Sequence, residues 1–205
     1  MDDITVMPLF ASNLIITNIK NDINNIDISK VKFVQASNNN QTSEISESMS
    51  VLDDYKKLSI TILKIFNSYT HDVLRIDNNF IFSTSWFTKT KPGNFNHYHC
   101  HTNSYYSGLF YFDEYCKDSG SLSILNPKSN LNSFHIKPKK ININNTNEYI
   151  VNPEKNLLIL FPSYLWHAIL SNTSDSLRYS LAFNIIPTGK YGEGDSTYNT
   201  EWFKS

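Results

Sequence analysis

The chain has 205 residues, of which 40% are hydrophobic and 14% aromatic, enough for one domain with a packed core. Its net charge of −1 at pH 7, without a long basic stripe, argues against nucleic-acid binding through phosphate contacts. The two cysteines are too few for a disulfide framework, and no signal peptide or membrane-spanning apolar stretch is present, so we expect a cytoplasmic protein, in the host cytoplasm if the source is viral.

The first predicted elements are a strand, a polar loop and a long helix. The segment MPLFASNLIITNI has the alternation of a strand, whereas residues 35–49 are polar, lack periodicity and predict a loop. From residue 50 to about 75, apolar residues recur at steps of three and four, which is typical of one face of a helix. Ser50 and Asp53 form a capping-box start signal. The apolar positions, which we expect to pack on a sheet, are Val51, Tyr55, Leu58, Ile62, Ile65, Phe66, Tyr69 and Val73.

From residue 79 onward, the pattern predicts short strands separated by turn residues. The candidates in chain order are NFIFSTSWF, SYYSGLFYF, GSLSILNP, NLLILF and SLRYSLAFNIIP. Such a series indicates an antiparallel sandwich or barrel. Residues 128–148 are a polar insertion, predicted to be a loop or hairpin near the barrel mouth. The polar tail after residue 187 is predicted to lie over the surface.

Half of the six histidines lie in the segment NHYHCHTNSYYSG, residues 96–108. Alternate side chains of a strand point to the same face, so His97, His99 and His101 share a face if the segment is extended. Neighbours in this series are about 7 Å apart along the strand and can bind one cation, whereas the outer two are about 13 Å apart. The metal-binding pair is therefore either His97 with His99 or His99 with His101.

A third metal ligand has to come from another part of the chain. The candidates are His71 at the end of the predicted helix, His135 in the polar insertion, His167, or a carboxylate. His167 follows a buried strand and a proline turn in LLILFPSYLWH. An imidazole in such an apolar setting needs a polar partner, which favours His167 as the third ligand.

Eleven residues after His167, the segment SLRYSLAFN carries an arginine on a predicted strand. Period two separates an apolar face (Leu177, Tyr179, Leu181, Phe183, Ile185) from a second face (Arg178, Ser180, Ala182, Asn184). A buried guanidinium needs an anion, and its geometry matches a carboxylate. No acidic residue lies nearby on the face of Arg178, so we expect a bound ligand carboxylate to supply the negative charge.

These motifs resemble the Fe(II)/2-oxoglutarate-dependent dioxygenase superfamily, and within it a subfamily of 2OG-Fe(II) oxygenases found in marine bacteria and phages. The matching stretches are MPLFAS, HCHTNSYYSGLFYF, GSLSILNP, LLILFPSYLWH and RYSLAFN. The resemblance covers most of the chain outside the polar loop near residue 40 and the insertion near residue 135. It implies a single jelly-roll domain over residues 1–205, with an all-β core, flanking helices and a cupin-like double-stranded β-helix.

The resemblance also selects among the candidate metal ligands. It implies that His99 and His101 bind Fe(II) together with His167, the distal histidine. Most members of the superfamily use two histidines and one carboxylate, and this chain has His101 at the position of the carboxylate. Three histidines also suit zinc, so zinc in place of iron is an alternative.

The implied cosubstrates are 2-oxoglutarate and O2. Arg178, with Ser180, would hold the far carboxylate of 2-oxoglutarate, and Tyr111 matches a position where related prolyl hydroxylases place a tyrosine on the same carboxylate. The implied reaction hydroxylates a C–H bond of a substrate and releases succinate and CO2. It needs no catalytic side chain beyond the metal ligands.

Three further residues, His97, Trp86 and Trp166, are candidates for contact with the substrate or for support of the metal ligands. The implied fold and Tyr111 are analogous to those of prolyl hydroxylases. This analogy suggests that the substrate is a prolyl or other residue of a peptide or protein, and a small molecule is the other option. We expect no membrane partner, and a homodimer is an open expectation. The alternative functions are a non-catalytic, cupin-like module that binds a metal and a carboxylate, or a phage structural protein.

Overall fold

The computed structural model describes residues 5, 7, 9–19, 26–36, 42–128 and 136–200. Within these residues, α1 spans Lys56–Tyr69. The strands are β1 (Ile15–Asn18), β2 (Phe33–Gln35), β3 (Glu44–Ser46), β4 (Phe80–Thr90), β5 (Asn96–His99), β6 (Tyr106–Tyr111), β7 (Leu122–Leu125), β8 (Glu148–Val151), β9 (Leu157–Pro162), β10 (His167–Ile169), β11 (Arg178–Pro187), β12 (Lys190–Tyr191) and β13 (Tyr198–Asn199).

The strands form two main sheets of antiparallel pairs. In the described part of the chain, the major sheet has seven strands in the order β1-β9-β6-β11-β4-β3-β2, and the minor sheet has four in the order β5-β10-β7-β8. The eight strands from β4 to β11 are divided equally between these two sheets. This arrangement is a jelly roll. It confirms the predicted fold class, an all-β core with a double-stranded β-helix and flanking helical elements.

The major sheet separates two apolar clusters. On its outer face, Leu58, Ile62 and Phe66 of α1 pack against strand residues that include Phe183. On its inner face, residues such as Ile159 pack against the minor sheet. Complete burial of a large apolar side chain contributes roughly 1.5–3 kcal/mol, so these clusters hold α1 and the minor sheet in place.

The helical segment differs from the sequence prediction at both ends. Val51–Asp53 form a short 3-10 turn, and the side chain of Ser50 makes no capping hydrogen bond, so the predicted capping box is not formed. Thr70–Leu74 form a π-helical turn after α1. Hydrogen bonds from i to i+5 place more residues in each turn and shift the apolar face. Val73 is therefore 59% exposed instead of packed on the sheet.

Two segments predicted as irregular contain strands. The loop prediction for residues 35–49 is wrong at β3, which pairs with β4 in the major sheet. In the insertion 128–148, β8 begins at Glu148 and pairs with β7. β3 is short and polar and carries no apolar run in the sequence, so its pairing depends on the neighbouring strand. The helices described here are all too short or too polar to cross a membrane.

Candidate metal centre

The imidazole rings of His99, His101 and His167 meet in a cavity lined by both sheets. One potential ligand atom of each ring lies within 4.8 Å of those of the other two. The ring centroids are 4.4 Å apart for His99 and His167, 5.1 Å for His101 and His167, and 5.2 Å for His99 and His101. Metal–nitrogen distances are about 2.0–2.1 Å, so these nitrogens need little movement to share one ion.

The strand pair β5–β10 brings two of these histidines together. β5 ends at His99, β10 begins at His167, and the antiparallel register pairs the two residues directly. Directly paired residues have neighbouring side chains. His101 follows two residues beyond the end of β5, where its backbone N–H donates to the carbonyl of Ser163 at 3.0 Å.

A bulge in β5 keeps His97 out of the cluster. Between the two paired positions, β5 advances three residues, from Asn96 to His99, while β10 advances two. The extra residue breaks the alternation of faces, so the prediction that His97 shares a face with the other two histidines is wrong. The exposed ring of His97 packs edge-on against Phe95, with the ring centroids 4.8 Å apart.

All three clustered rings are oriented through Nδ1. The Nδ1 hydrogen bonds join His99 to the His97 carbonyl at 2.8 Å, His101 to Asn184 Oδ1 at 2.7 Å, and His167 to the Leu165 carbonyl at 2.9 Å. These oxygens can only accept, so each Nδ1 is assigned the ring proton. The lone pair of each Nε2 is then available for a metal ion.

Burial keeps two of the rings neutral. It lowers the pKa of His167 to about 3, an effect to which the neighbouring His99 adds. Burial also lowers the pKa of His101, against the smaller opposing effect of its hydrogen bond to Asn184. A neutral imidazole is the form that binds metals, so both side chains are ready to act as ligands at neutral pH.

Another candidate third ligand, His71, does not join this cluster. His71 lies in the π-helical turn, exposed, with its Nδ1 2.8 Å from a carboxylate oxygen of Asp72. The hydrogen bond to that carboxylate raises the pKa of His71. His135 lies outside the described residues.

A cavity of about 680 Å³ joins the histidines to the arginine of β11. One wall is the predicted polar face of β11, formed by Arg178, Ser180, Ala182 and Asn184. The intervening side chains, such as Phe183, are buried in the outer cluster. The alternation read from RYSLAFN therefore agrees with the structure.

Arg178 is only 2% exposed and has no acidic partner among the described residues. Its Nη1 donates to the carbonyl of Gly120 at 3.1 Å and its Nη2 to Thr90 Oγ1 at 2.7 Å. Within the described part of the chain, its buried Nε has no hydrogen-bond partner. Burial lowers the pKa of the guanidinium, because an unpaired charge is costly in the interior. A carboxylate that entered this cavity would relieve that cost.

Tyr111 lies close to Arg178 but does not line the cavity. Burial raises the pKa of its phenol, an effect that the guanidinium of Arg178 partly offsets. Its buried hydroxyl also lacks a hydrogen-bond partner among the described residues. Other residues, Ser180 among them, form the cavity wall. Arg178 Nε and the Tyr111 hydroxyl are thus two buried donors without a hydrogen-bond partner among the described residues.

The two tryptophan candidates differ in position. Trp86 lines the cavity and stacks on His101, with centroids 5.9 Å apart and ring planes at 19°. Trp166 is 53% exposed and is not among the described residues that line the cavity. Of the three predicted neighbours, Trp86 reaches the site, whereas the exposed rings of Trp166 and His97 do not line the cavity.

Sequence reasoning missed the partner of His101. Asn184 Oδ1 also accepts from Ser107 Oγ at 2.8 Å, and its Nδ2 donates to Thr84 Oγ1 at 3.0 Å. The period of β11 indicated that Asn184 faces the cavity. No local pattern indicated that it lies against a histidine 83 residues away.

Comparisons with known proteins agree with this fold. A family profile described as "Putative 2OG-Fe(II) oxygenase" matches residues 84–184, which include the three clustered histidines and Arg178. No curated protein sequence matches the chain.

Solved structures with the same fold include an oxidoreductase of the 2OG-Fe(II) oxygenase family from Burkholderia pseudomallei (TM-score 0.55, 9% identity, 77% of this chain and 74% of that chain). A prolyl-4-hydroxylase from Pseudomonas putida matches with TM-score 0.51 and 16% identity over 75% of this chain and 77% of that chain. The non-heme, alpha-ketoglutarate-dependent epimerase SnoN from nogalamycin biosynthesis matches with TM-score 0.57 and 9% identity over 81% of this chain and 70% of that chain. At these identities the likeness shows the fold alone.

A histidine cluster and a buried arginine thus share one cavity of a jelly roll. The match over residues 84–184 identifies the chain as a 2OG-Fe(II) oxygenase, as its motifs predicted. Fe(II) and 2-oxoglutarate are typical of the family, and the histidine cluster is the candidate metal site. The predicted phage origin finds no support in these comparisons.

Proposed function

We propose that the chain is an Fe(II)- and 2-oxoglutarate-dependent hydroxylase in which His99, His101 and His167 hold the metal through Nε2. One observation carries the proposal: Arg178, buried without an acidic partner among the described residues, shares a cavity with the three histidines. The bound metal and cosubstrate would supply the chemistry, by which a substrate C–H bond, 2-oxoglutarate and O2 become the hydroxylated substrate, succinate and CO2.

The role proposed for Arg178 is to hold the far carboxylate of 2-oxoglutarate. A guanidinium has five N–H donors. Arg178 donates through Nη1 to Gly120 and through Nη2 to Thr90, while its Nε has no partner in the described part of the chain. The Tyr111 hydroxyl is a second unsatisfied donor nearby. Ser180 and Ala182 follow along the cavity wall, and their small side chains leave room for the cosubstrate between Arg178 and the histidines.

Aromatic side chains would keep the histidine rings in place and exclude water around them. Trp86 stacks on His101, and Phe161 packs edge-on against His167 with the centroids 4.7 Å apart. A rigid and partly dry site limits side reactions of the bound group. The chain would therefore act by orientation and shielding, with no acid or base of its own.

For the substrate, we propose a residue of a peptide or protein, and a prolyl residue is the first to test. The cavity lining includes the half-buried Val34 and Ile45 and the exposed Glu47, Met49 and Thr102. Three of these side chains are apolar, and the one carboxylate is paired with Lys32 at 2.7 Å. An uncharged ring such as pyrrolidine suits such a surface. The fold shared with a prolyl-4-hydroxylase is an analogy and adds no weight of its own.

The test begins without a substrate. Under anaerobic conditions, protein with Fe(II) and 2-oxoglutarate should show a weak metal-to-ligand charge-transfer band in the visible range. In air, the same mixture should form succinate slowly, and an added proline-rich peptide should accelerate succinate formation and gain one oxygen atom by mass spectrometry. The His97→Ala variant is the control, since the exposed ring of His97 does not line the cavity.

Two outcomes would contradict different parts of the proposal. Absence of both the band and succinate in the wild-type protein would favour the alternative of a non-catalytic, cupin-like module that binds a metal and a carboxylate. A band with succinate formation that no prolyl or other peptide accelerates would contradict the peptide substrate alone.

A further inference from the structure

Of the three clustered rings, His101 alone is oriented by another side chain. Nδ1 of His99 and of His167 donates to backbone carbonyls, which can only accept. Nδ1 of His101 donates to Oδ1 of Asn184 at 2.7 Å. An asparagine amide can accept through Oδ1 or donate through Nδ2, so its direction matters for the ring that it faces.

The direction of the Asn184 amide sets the tautomer of His101. When Oδ1 faces the ring, Nδ1 carries the proton and Nε2 keeps its lone pair for a metal ion. When Nδ2 faces the ring instead, Nδ1 has to accept and the proton moves to Nε2. In that state the side chain offers no lone pair on the side of the other histidines.

Two hydroxyl groups complete the hydrogen bonds of the amide when its Oδ1 faces His101. Ser107 Oγ donates to Oδ1 at 2.8 Å, and Nδ2 donates to Thr84 Oγ1 at 3.0 Å. The hydroxyl of Ser107 lies 2.8 Å from the hydroxyl of Ser163. The backbone carbonyl of Ser163 accepts from the backbone N–H of His101. Ser107 is 2% exposed and Asn184 is 9% exposed, so water competes little with these bonds.

We propose that Asn184 is a positioning residue that holds His101 in the metal-binding tautomer and orientation. The inference rests on the proposed metal site. A carboxylate at the position of His101, the more common ligand in such centres, needs no control of tautomer. An imidazole at this position does, and Asn184 supplies it.

The test measures metal affinity in protein without 2-oxoglutarate, with Co(II) as a spectroscopic probe followed by its ligand-field absorption. The Asn184→Leu variant keeps a similar shape but removes the acceptor, and we expect Co(II) affinity to fall about 10–100-fold, as for other partners of metal-ligating histidines. The Asn184→Asp variant can only accept, and we expect it to bind Co(II) at least as tightly as the wild-type protein.

The matched control is Asn172→Leu. Asn172 is fully buried, and its Nδ2 donates to the carbonyls of Thr90 and Ser176, away from the histidines. This variant should lose thermal stability without a change in Co(II) affinity, which separates the cost of a lost buried amide from an effect on the metal site. If Asn184→Leu does not fold, Asn184→Ala takes its place.

Two results would overturn the proposal: unchanged Co(II) affinity in the folded Asn184→Leu or Asn184→Ala variant, or weaker binding in Asn184→Asp. A failure of the proposed function looks different. In that case the wild-type protein itself does not bind Co(II) through the histidine cluster, and its absorption spectrum is the same as that of the His99→Ala variant.

Discussion

His99 and His167 face each other across the antiparallel pair β5–β10, with ring centroids 4.4 Å apart. Their approach is set by strand register, because His99 closes one strand and His167 opens the other. A ligand pair carried on paired strands is held more firmly than one carried on loops. The metal centre therefore depends on the hydrogen bonds of the minor sheet.

Removal of either paired ring should abolish tight metal binding. We expect His99→Ala and His167→Ala to bind Co(II) or Fe(II) far more weakly than the wild-type protein, because each variant leaves two imidazoles for one ion. The His97→Ala variant is the matched control. Its ring packs on Phe95, and it orients His99 through a backbone carbonyl that the substitution retains.

Calorimetric titration of the apo-proteins with metal measures these affinities. Equal affinities for His97→Ala and His167→Ala would contradict the assignment of the ligands.

Replacement of Arg178 should remove the effect of 2-oxoglutarate on stability. A ligand that binds the folded state at 100 times its dissociation constant stabilises that state by about 2.7 kcal/mol. We expect the melting temperature of metal-loaded wild-type protein to rise with 2-oxoglutarate and that of Arg178→Met to stay constant. Arg178→Lys should lose most of the rise as well, since an ammonium lacks the bidentate geometry.

The apo-form of Arg178→Met should remain folded. The substitution removes the hydrogen bonds to Gly120 and Thr90, but it also removes a buried charge that has no acidic partner among the described residues. A rise in melting temperature with 2-oxoglutarate that is equal in wild type and Arg178→Met would show that the carboxylate binds elsewhere.

Tyr111→Phe should affect ligand binding more than folding. The Tyr111 hydroxyl is buried without a hydrogen-bond partner among the described residues, so its removal leaves no other group unsatisfied. We expect the apo-protein to be as stable as wild type or more stable. The binding free energy of 2-oxoglutarate should weaken by the contribution of one hydrogen bond, about 0.5–1.5 kcal/mol. Thermal unfolding and a 2-oxoglutarate titration test both expectations, and unchanged affinity would exclude Tyr111 from the carboxylate site.

The stability of the apo-protein should fall as the pH is lowered below about 6.5, the ordinary pKa of histidine. Burial lowers the pKa of His167 to about 3 in the folded chain, so between these two values the unfolded chain binds the extra proton and the folded chain does not. In this range, each buried histidine of this kind changes the free energy of unfolding by about 1.4 kcal/mol per pH unit.

Urea unfolding of apo-protein at pH 7.5 and pH 5 measures this dependence. The His167→Gln variant, which cannot take up the proton, should lose less stability than wild type over the same range. An equal loss in the two proteins would contradict a neutral, buried His167.

The sequence predicted those parts of the fold and site that depend on local pattern. The two faces of β11 follow from the alternation in RYSLAFN, because one face is apolar throughout and the other carries Arg178. The position of His97 could not be predicted in this way. The bulge that turns it outward arises from the pairing of β5 with β10, which is distant in the sequence.

Contacts between distant residues were beyond the reach of pattern alone. Asn184 meets His101 across 83 residues, and β3 is a strand because β4 offers it a partner. The resemblance to a known family selected His101 over His97 as the partner of His99, where spacing left both open. It pointed to Tyr111 as well, which lies close to Arg178 but is not among the described residues that line the cavity.

A crystal structure of the protein with Fe(II) and 2-oxoglutarate, prepared without oxygen and measured at the iron absorption edge, tests the central claim most directly. We expect one iron about 2.1 Å from Nε2 of His99, His101 and His167, with a 2-oxoglutarate carboxylate on the guanidinium of Arg178. Iron bound at another position, or a 2-oxoglutarate that does not touch Arg178, would contradict it.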